Sequence, residues 1–163
     1  MPVTKLKNFL DEHKTRYVTI QHSVAYTSQE VAAAIHVHGS ELAKTTVVKL
    51  DGRFAMAVLA APDQVDLDRL KEAAGAKTAT LATEKEFMEL FPGCDLGAMP
   101  PFGNLYGLPV YVDERLAEDA SIAFNAGTHT EAIRMDFADY KRLVDPKDAG
   151  FRRGGATTSR RAS

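Results

Sequence analysis

Apolar positions in this chain recur with two periods. Leu6, Phe9, Leu10 and His13 share one helical stripe behind Thr4, which reads as an N-cap. Tyr17–His22 is rich in β-branched residues and predicts a strand. Thr27-Ser-Gln-Glu30 has capping-box spacing ahead of Val31, Ala34 and Ile35, so a second helix is expected to end before Gly39. Lys44–Leu50 and Arg53–Ala60 are apolar runs parted by Asp51-Gly52, a pair that accepts positive φ and predicts a hairpin.

Further along, Leu67, Leu70 and Ala74 mark a helix that Gly75 ends, and Thr78–Leu81 predicts a short strand. Thr83-Glu-Lys-Glu86 repeats the capping box before Phe87, Leu90 and Phe91, and Pro92-Gly93 stops that helix. Pro109–Val112 and Ser121–Phe124 read as strands. Asn125–Thr128 reads as a turn built on Gly127, and Thr130–Met135 as the returning strand. Asp136 is placed to cap a last helix carrying Phe137, Tyr140 and Leu143. Together these elements predict a single mixed α/β domain with a mostly antiparallel sheet flanked by helices. Neither an internal repeat nor a linker interrupts them.

Composition refines this picture. A chain of 163 residues fits one domain. The net charge of −2 hides an asymmetry: residues 152–163 carry four arginines and no acid. Without them 16 basic residues face 22 acidic ones, a balance of −6, which excludes a general polyanion binder. The domain is therefore drawn at residues 1–151. Residues 152–163 are read as a disordered basic tail, a solvated end or an aid in steering a phosphate backbone. The single cysteine, Cys94, reads as a small half-buried thiol. The start of the chain lacks a secretory pattern and no apolar run reaches membrane-span length, so the expected location is cytoplasmic.

Common catalytic signatures are absent: no phosphate loop, dinucleotide turn or nucleophile elbow. His36-Val-His38 lacks a third ligand, so no metal site is expected there. Lys44 opens a strongly apolar strand, and Lys49, five residues on, should face the opposite side of the sheet. A lysine at a strand edge beside a cleft can hold a carbonyl, carboxylate or phosphate. Gly97-Ala-Met-Pro-Pro-Phe-Gly103 frames a rigid Pro-Pro step with two glycines and predicts a stiff loop offering bare backbone to a ligand.

Four segments in this order resemble the YbaK/ProX family, which comprises freestanding aminoacyl-tRNA deacylases and the related editing domain of bacterial prolyl-tRNA synthetases. They are Leu42-Ala-Lys-Thr-Thr-Val-Val-Lys49, Gly97-Ala-Met-Pro-Pro-Phe-Gly103, Val110-Tyr-Val-Asp113 and Phe124-Asn-Ala-Gly127. The likeness runs from about Leu6 to Leu143 and implies the curled mixed sheet of that family. It implies that Lys44 is the essential catalytic lysine, with Lys49 the candidate if the alignment slips. It implies that Gly97, Ala98, Met99, Pro100, Pro101, Phe102 and Gly103 hold the aminoacyl group and terminal adenosine. Asn125, Ala126 and Gly127 would form a second wall, with His129 in the same turn. Tyr26, Met99, Phe102 and Phe124 are further candidates for shaping the pocket.

The activity so implied is trans-editing: hydrolysis of the ester of tRNA mischarged with a small amino acid (alanine, cysteine, serine or threonine), without a cofactor, in support of translation fidelity. The partners implied are the aminoacyl-tRNA acceptor end and an aminoacyl-tRNA synthetase, with no membrane and no DNA. A non-catalytic tRNA- or synthetase-binding module of the same fold is the alternative, and a small-molecule binder a third.

Overall fold

Asp51 (φ 52°) and Gly52 (φ 80°) both adopt the left-handed conformation, so a two-residue turn folds β2 (Leu42–Leu50) back onto β3 (Arg53–Ala60). This hairpin is the centre of the computed structural model, which describes residues 2–25, 28–35, 37, 41–95 and 97–153. Around it lie β1 (Tyr17–Gln21), β4 (Ala79–Leu81), β5 (Val110–Asp113), β6 (Ser121–Thr128), β7 (Glu131–Asp136) and β8 (Lys147–Ala149). The sheet order is β1-β7-β6-β2-β3-β5-β8, with β4 attached to β2 off this path. Four pairings are antiparallel and three, β2–β6, β3–β5 and β5–β8, are parallel.

Helices cover both faces. On one, α1 (Pro2–Glu12) and α5 (Phe137–Val144) bury Leu6, Leu10 and Tyr140 against Met56, Phe102 and Phe124. On the other, α2 (Ser28–Ala34) lays Val31 over Leu42, Ala123 and Ala132, joined by Ile35 just past its end. On that second face α3 (Leu67–Ala74) sets Leu70 beside Val48, Leu59 and Phe151. Asp66 caps α3 through the Asp68 and Arg69 amides, and Gly75 (φ 68°) closes it. The capping box of Thr83 and Glu86 forms as expected on the short α4 (Glu84–Phe87). Among the described residues no helix is long and apolar enough to cross a membrane.

Several sequence expectations change. α1 begins at Pro2, so Thr4 lies inside the helix. Asn125–Thr128 is not a turn: β6 runs on through a bulge, Gly127 takes φ 106°, and the chain reverses at His129–Thr130. Asp136 takes the N-cap position of α5, but its side chain accepts no amide there; the Phe137 amide donates instead to the Ala120 carbonyl at 3.0 Å. Thr27 of the first capping box, His36, His38 and Tyr26 lie outside the described residues. Arg152, the first residue of the expected tail, is buried: Asp113 draws its guanidinium in at 2.9 Å and also accepts its amide at 3.1 Å. Arg153 donates its amide to the Gln64 carbonyl at 2.7 Å, and residues 154–163 lie outside the described residues.

Candidate active site at the parting of two strands

The edge of β2 away from β3 has two different neighbours. β6 pairs with it in parallel at Leu42 and Ala43, and β4 pairs antiparallel at Val48–Leu50. Between them, among the described residues, no strand pairs with Lys44–Val47 on this edge. The bulge around Gly127 turns β6 away, and β4 is only three residues long. A cavity of about 230 Å³ occupies the opening. Its walls are Thr45, Thr46 and Val47 of β2, Leu81, Phe87, and Gly97 with Met99 from the Pro-Pro loop.

Lys44 stands one residue before this wall, and alternation fixes which way it faces. Leu42 and its partner Ala123 belong to the α2 side, whereas Ala43 and its partner Phe124 belong to the α1 side. The next residues on the two strands, Lys44 and Asn125, therefore share the α2 side where the strands diverge. Lys44 is half-buried, and among the described residues its ammonium takes part in no ion pair. Burial pushes its pKa below the ordinary lysine value, and the charge of Asp63 opposes that shift. The side-chain oxygen of Asn125 is buried without a hydrogen-bond partner. Lys49 faces the other side of the sheet, as its spacing requires, and is neutralised by Glu86 at 2.7 Å.

The Pro-Pro loop is stitched to the bulge rather than left bare. The Asp95 amide donates to the Gly127 carbonyl at 2.8 Å, and the Gly127 amide to the Ala98 carbonyl at 2.9 Å. The Asp95 carboxylate accepts the His129 amide at 3.1 Å. Residues 98–103 are buried, and their carbonyls serve the fold: Pro100 accepts the Phe102 amide at 2.8 Å, and Pro101 accepts the Tyr140 hydroxyl at 2.7 Å. The bare backbone expected of this segment is thus confined to Gly97, which is exposed at φ 84°. A Cβ at Gly97 would stand 3.9 Å from His129 Cε1.

Gly103 answers to packing, since a Cβ there would meet Val110 Cγ2 at 2.6 Å and the Leu108 carbonyl oxygen at 2.7 Å. Phe102 and Phe124 stack 5.3 Å apart in the core, and Ala126 is fully buried there. Cys94 is half-buried, its sulfur 3.9 Å from the Tyr106 hydroxyl, and burial pushes the thiol pKa up, away from nucleophile chemistry.

Of the residues singled out by the sequence, Gly97 and Met99 line this cavity; Lys44 and Asn125 end side by side on the α2 side of β2 and β6, Gly127 and His129 are tied to the loop through Ala98 and Asp95, and Pro100–Gly103 are buried beneath it. Sequence reasoning missed Thr45, whose hydroxyl is buried without a partner, and Thr46, also on the cavity wall. The only signal was a polar pair breaking an apolar strand.

Known proteins match this architecture. A family model described as an aminoacyl-tRNA editing domain fits residues 22–143. The multifunctional Ser/Thr-tRNA deacylase ProXp-y of Escherichia coli (strain K12) is 35% identical over 158 residues, covering 83% of this chain and 94% of that protein. The prolyl-tRNA editing protein ProX of Acetoanaerobium sticklandii is 24% identical, covering 88% and 90%. A proline–tRNA ligase of Nitratidesulfovibrio vulgaris (strain DP4) is 30% identical over 143 residues, and the match spans 24% of its length. A solved structure described as a candidate trans-editing enzyme for prolyl tRNA synthetase superposes with a TM-score of 0.79 at 21% identity, over 94% of this chain and 98% of that one. This chain belongs to the aminoacyl-tRNA editing domain family, that of the trans-editing aminoacyl-tRNA deacylases.

Proposed function

We propose that this chain hydrolyses the ester of tRNA mischarged with serine or threonine, with alanine and cysteine as the other small side chains to be tested. The observation that supports this reading is the register of β2 against β6, which sets Lys44 and Asn125 side by side, Lys44 one residue before the Thr45–Val47 wall of the cavity. A relative named as a Ser/Thr-tRNA deacylase supports the choice of amino acid.

In the proposed reaction the aminoacyl ester lies across this mouth with its side chain in the cavity. Water adds to the ester carbonyl carbon, and negative charge gathers on the carbonyl oxygen. The Lys44 ammonium stabilises that charge in a partly dry setting, where a cation acts more strongly than in water. The carbon–oxygen bond to the ribose then breaks, and the ribose oxygen departs with a proton. A neighbouring ribose hydroxyl of the substrate helps orient and activate the water. Gly97 and the Asn125–Gly127 bulge hold the terminal nucleotide and the aminoacyl backbone, and the buried loop behind them keeps both walls in place. The acidic balance of the domain supports delivery of the substrate by a synthetase rather than unaided capture of tRNA.

The test is a deacylation panel of correctly and incorrectly charged tRNAs. Seryl- and threonyl-tRNA are expected to be cleaved fastest. Lys44→Ala should lose at least about a hundredfold in kcat, the scale for removing one stabiliser of a developing oxyanion. Wild-type rates from the Lys44 variant would overturn the assignment.

A further inference from the structure

Main-chain groups in a strand turn alternately to its two edges, and two contacts fix the phase along β2. The Leu42 carbonyl accepts the Ala61 amide at 2.8 Å on the β3 edge. The Val47 carbonyl accepts the Ala82 amide at 3.0 Å on the opposite edge, where β4 pairs. Leu42, Lys44 and Thr46 therefore turn their amides and carbonyls to β3. Ala43, Thr45 and Val47 turn theirs to the opening. Pairing with β6 ends at Ala43, and Ala82 takes the Val47 carbonyl. Thr45 is left presenting both its amide and its carbonyl to the opening, and among the described residues no main-chain group meets either one.

Main-chain polar groups are strong, obligatory hydrogen bonders, so a rung left open in mid-sheet calls for an occupant. Its length says which kind. β6 bounds the gap at Ala43 and Ala82 bounds it at Val47, about 13 Å apart at the usual strand rise. A further strand of ordinary length would run into one or the other. A single aminoacyl unit fits, since it carries one donor, the α-ammonium, and one acceptor, the acyl carbonyl. We propose that Thr45 receives the aminoacyl group as one rung of antiparallel sheet: its carbonyl accepts a hydrogen bond from the α-ammonium, and its amide donates to the acyl carbonyl. The inference rests on the ester-hydrolysis reading given above.

The surroundings select the antiparallel direction. β4 runs antiparallel to β2, and the Ala82–Val47 bond is its last contact, so Thr45 is the next rung on that line. In this direction the acyl carbon points toward Ala43, where Lys44 and Asn125 stand, and the ribose falls on the β6 side. The substrate side chain then shares the face of Thr45, on which Val47, Phe87 and Met99 close the cavity. A parallel rung would use the Thr45 carbonyl with the Val47 amide and send the ester away from Lys44. The Thr45 nitrogen is bonded to the Lys44 carbonyl carbon, so the acyl oxygen is held beside the residue that bears the cation. As water adds and charge gathers on that oxygen, a donor already aimed at it gains strength without reorganising. The ammonium–carbonyl bond is charge-assisted and makes the α-amino group a requirement.

The experiment has a substrate arm and a main-chain arm. In the first, wild type is given seryl-tRNA, N-acetylseryl-tRNA and glyceryl-tRNA, the last with a hydroxyl in place of the α-amino group. After correction for each ester's spontaneous hydrolysis, kcat/KM for both analogues should fall on the order of tenfold or more below seryl-tRNA. In the second, the ¹⁵N-labelled protein is titrated with 3′-deoxy-3′-(L-seryl)aminoadenosine, in which an amide replaces the ester. The Thr45 amide resonance should shift and its hydrogen exchange slow by about tenfold, while the Thr46 amide, which faces β3, is unmoved. Exchanging the Thr45 amide nitrogen for an ester oxygen should lower kcat on the order of a hundredfold, with KM changed far less.

Equal corrected rates on all three esters overturn the inference. So does a response at the Val47 amide in place of Thr45, which marks the parallel register, or a response at neither amide. Failure of wild type to cleave any charged tRNA would instead overturn the underlying reading, whatever the amides do.

Discussion

The hydroxyl of Tyr140 in α5 donates a 2.7 Å hydrogen bond to the carbonyl of Pro101, and the two groups are buried together across 39 residues of sequence. This bond joins the last helix to the base of the candidate site. Tyr140→Phe keeps the ring, which packs edge-on against Phe102 at 5.3 Å, and removes only the donor. A buried carbonyl left unmatched costs about 1–3 kcal/mol. Urea denaturation should show a loss of that size. Deacylation assays should show a raised KM, because Gly97 and Met99 lose the support beneath them.

Gly103→Ala tests the same foundation by crowding it. The added methyl would approach the Leu108 carbonyl oxygen at 2.7 Å, and that residue is tied to Gly103 by its own amide at 2.9 Å. Backbone so constrained yields poorly, so the expected cost is about 1–3 kcal/mol. It is read as a lowered Tm with activity falling in parallel.

Lys44 illustrates a conflict between stability and chemistry. Its folded pKa lies below the ordinary value because burial disfavours the cation. The folded state therefore releases its proton at lower pH than the unfolded state, and stability rises as pH climbs through that interval. Lys44→Met abolishes the charge while keeping an apolar stem. The variant should melt at the same temperature or higher at neutral pH, while deacylation is lost. The gap in Tm between the two proteins should narrow as pH approaches the ordinary lysine range, which thermal melts across alkaline pH would measure.

Glu86 gives the opposite sign. The ammonium of Lys49, followed by the Thr83 amide, holds its carboxyl at about 2 instead of 4.5. A depressed carboxylate contributes stability above its unfolded pKa and loses it as pH falls through the folded value. Glu86→Gln should flatten the acid limb of stability between about pH 4.5 and 2, and equal slopes for both proteins would contradict it.

Local chemistry was legible where it was sufficient. Asp51-Gly52 announced its hairpin, and Thr83 with Glu86 its capping box, because each depends on neighbours in sequence. Thr4 misled, since a helix beginning with Pro2 satisfies the first turn differently. Asn125–Gly127 has the composition of a turn, yet pairing with β7 carries it on as a bulged strand. The Pro-Pro loop reads as an exposed rim until Tyr140, far along the chain, takes its carbonyl. Lys44 itself was found by resemblance and by its place on an apolar strand.

β2 answers to different neighbours at its two ends, β6 at Leu42–Ala43 and β4 at Val48–Leu50. The aperture between them is therefore set by the splay of two independently anchored ladders. A tilt of β4 by a fraction of an ångström, carried by Leu81 and by Phe87 of α4, would narrow or widen that aperture. The width of the opening is thus a property of strand geometry and not of any one side chain.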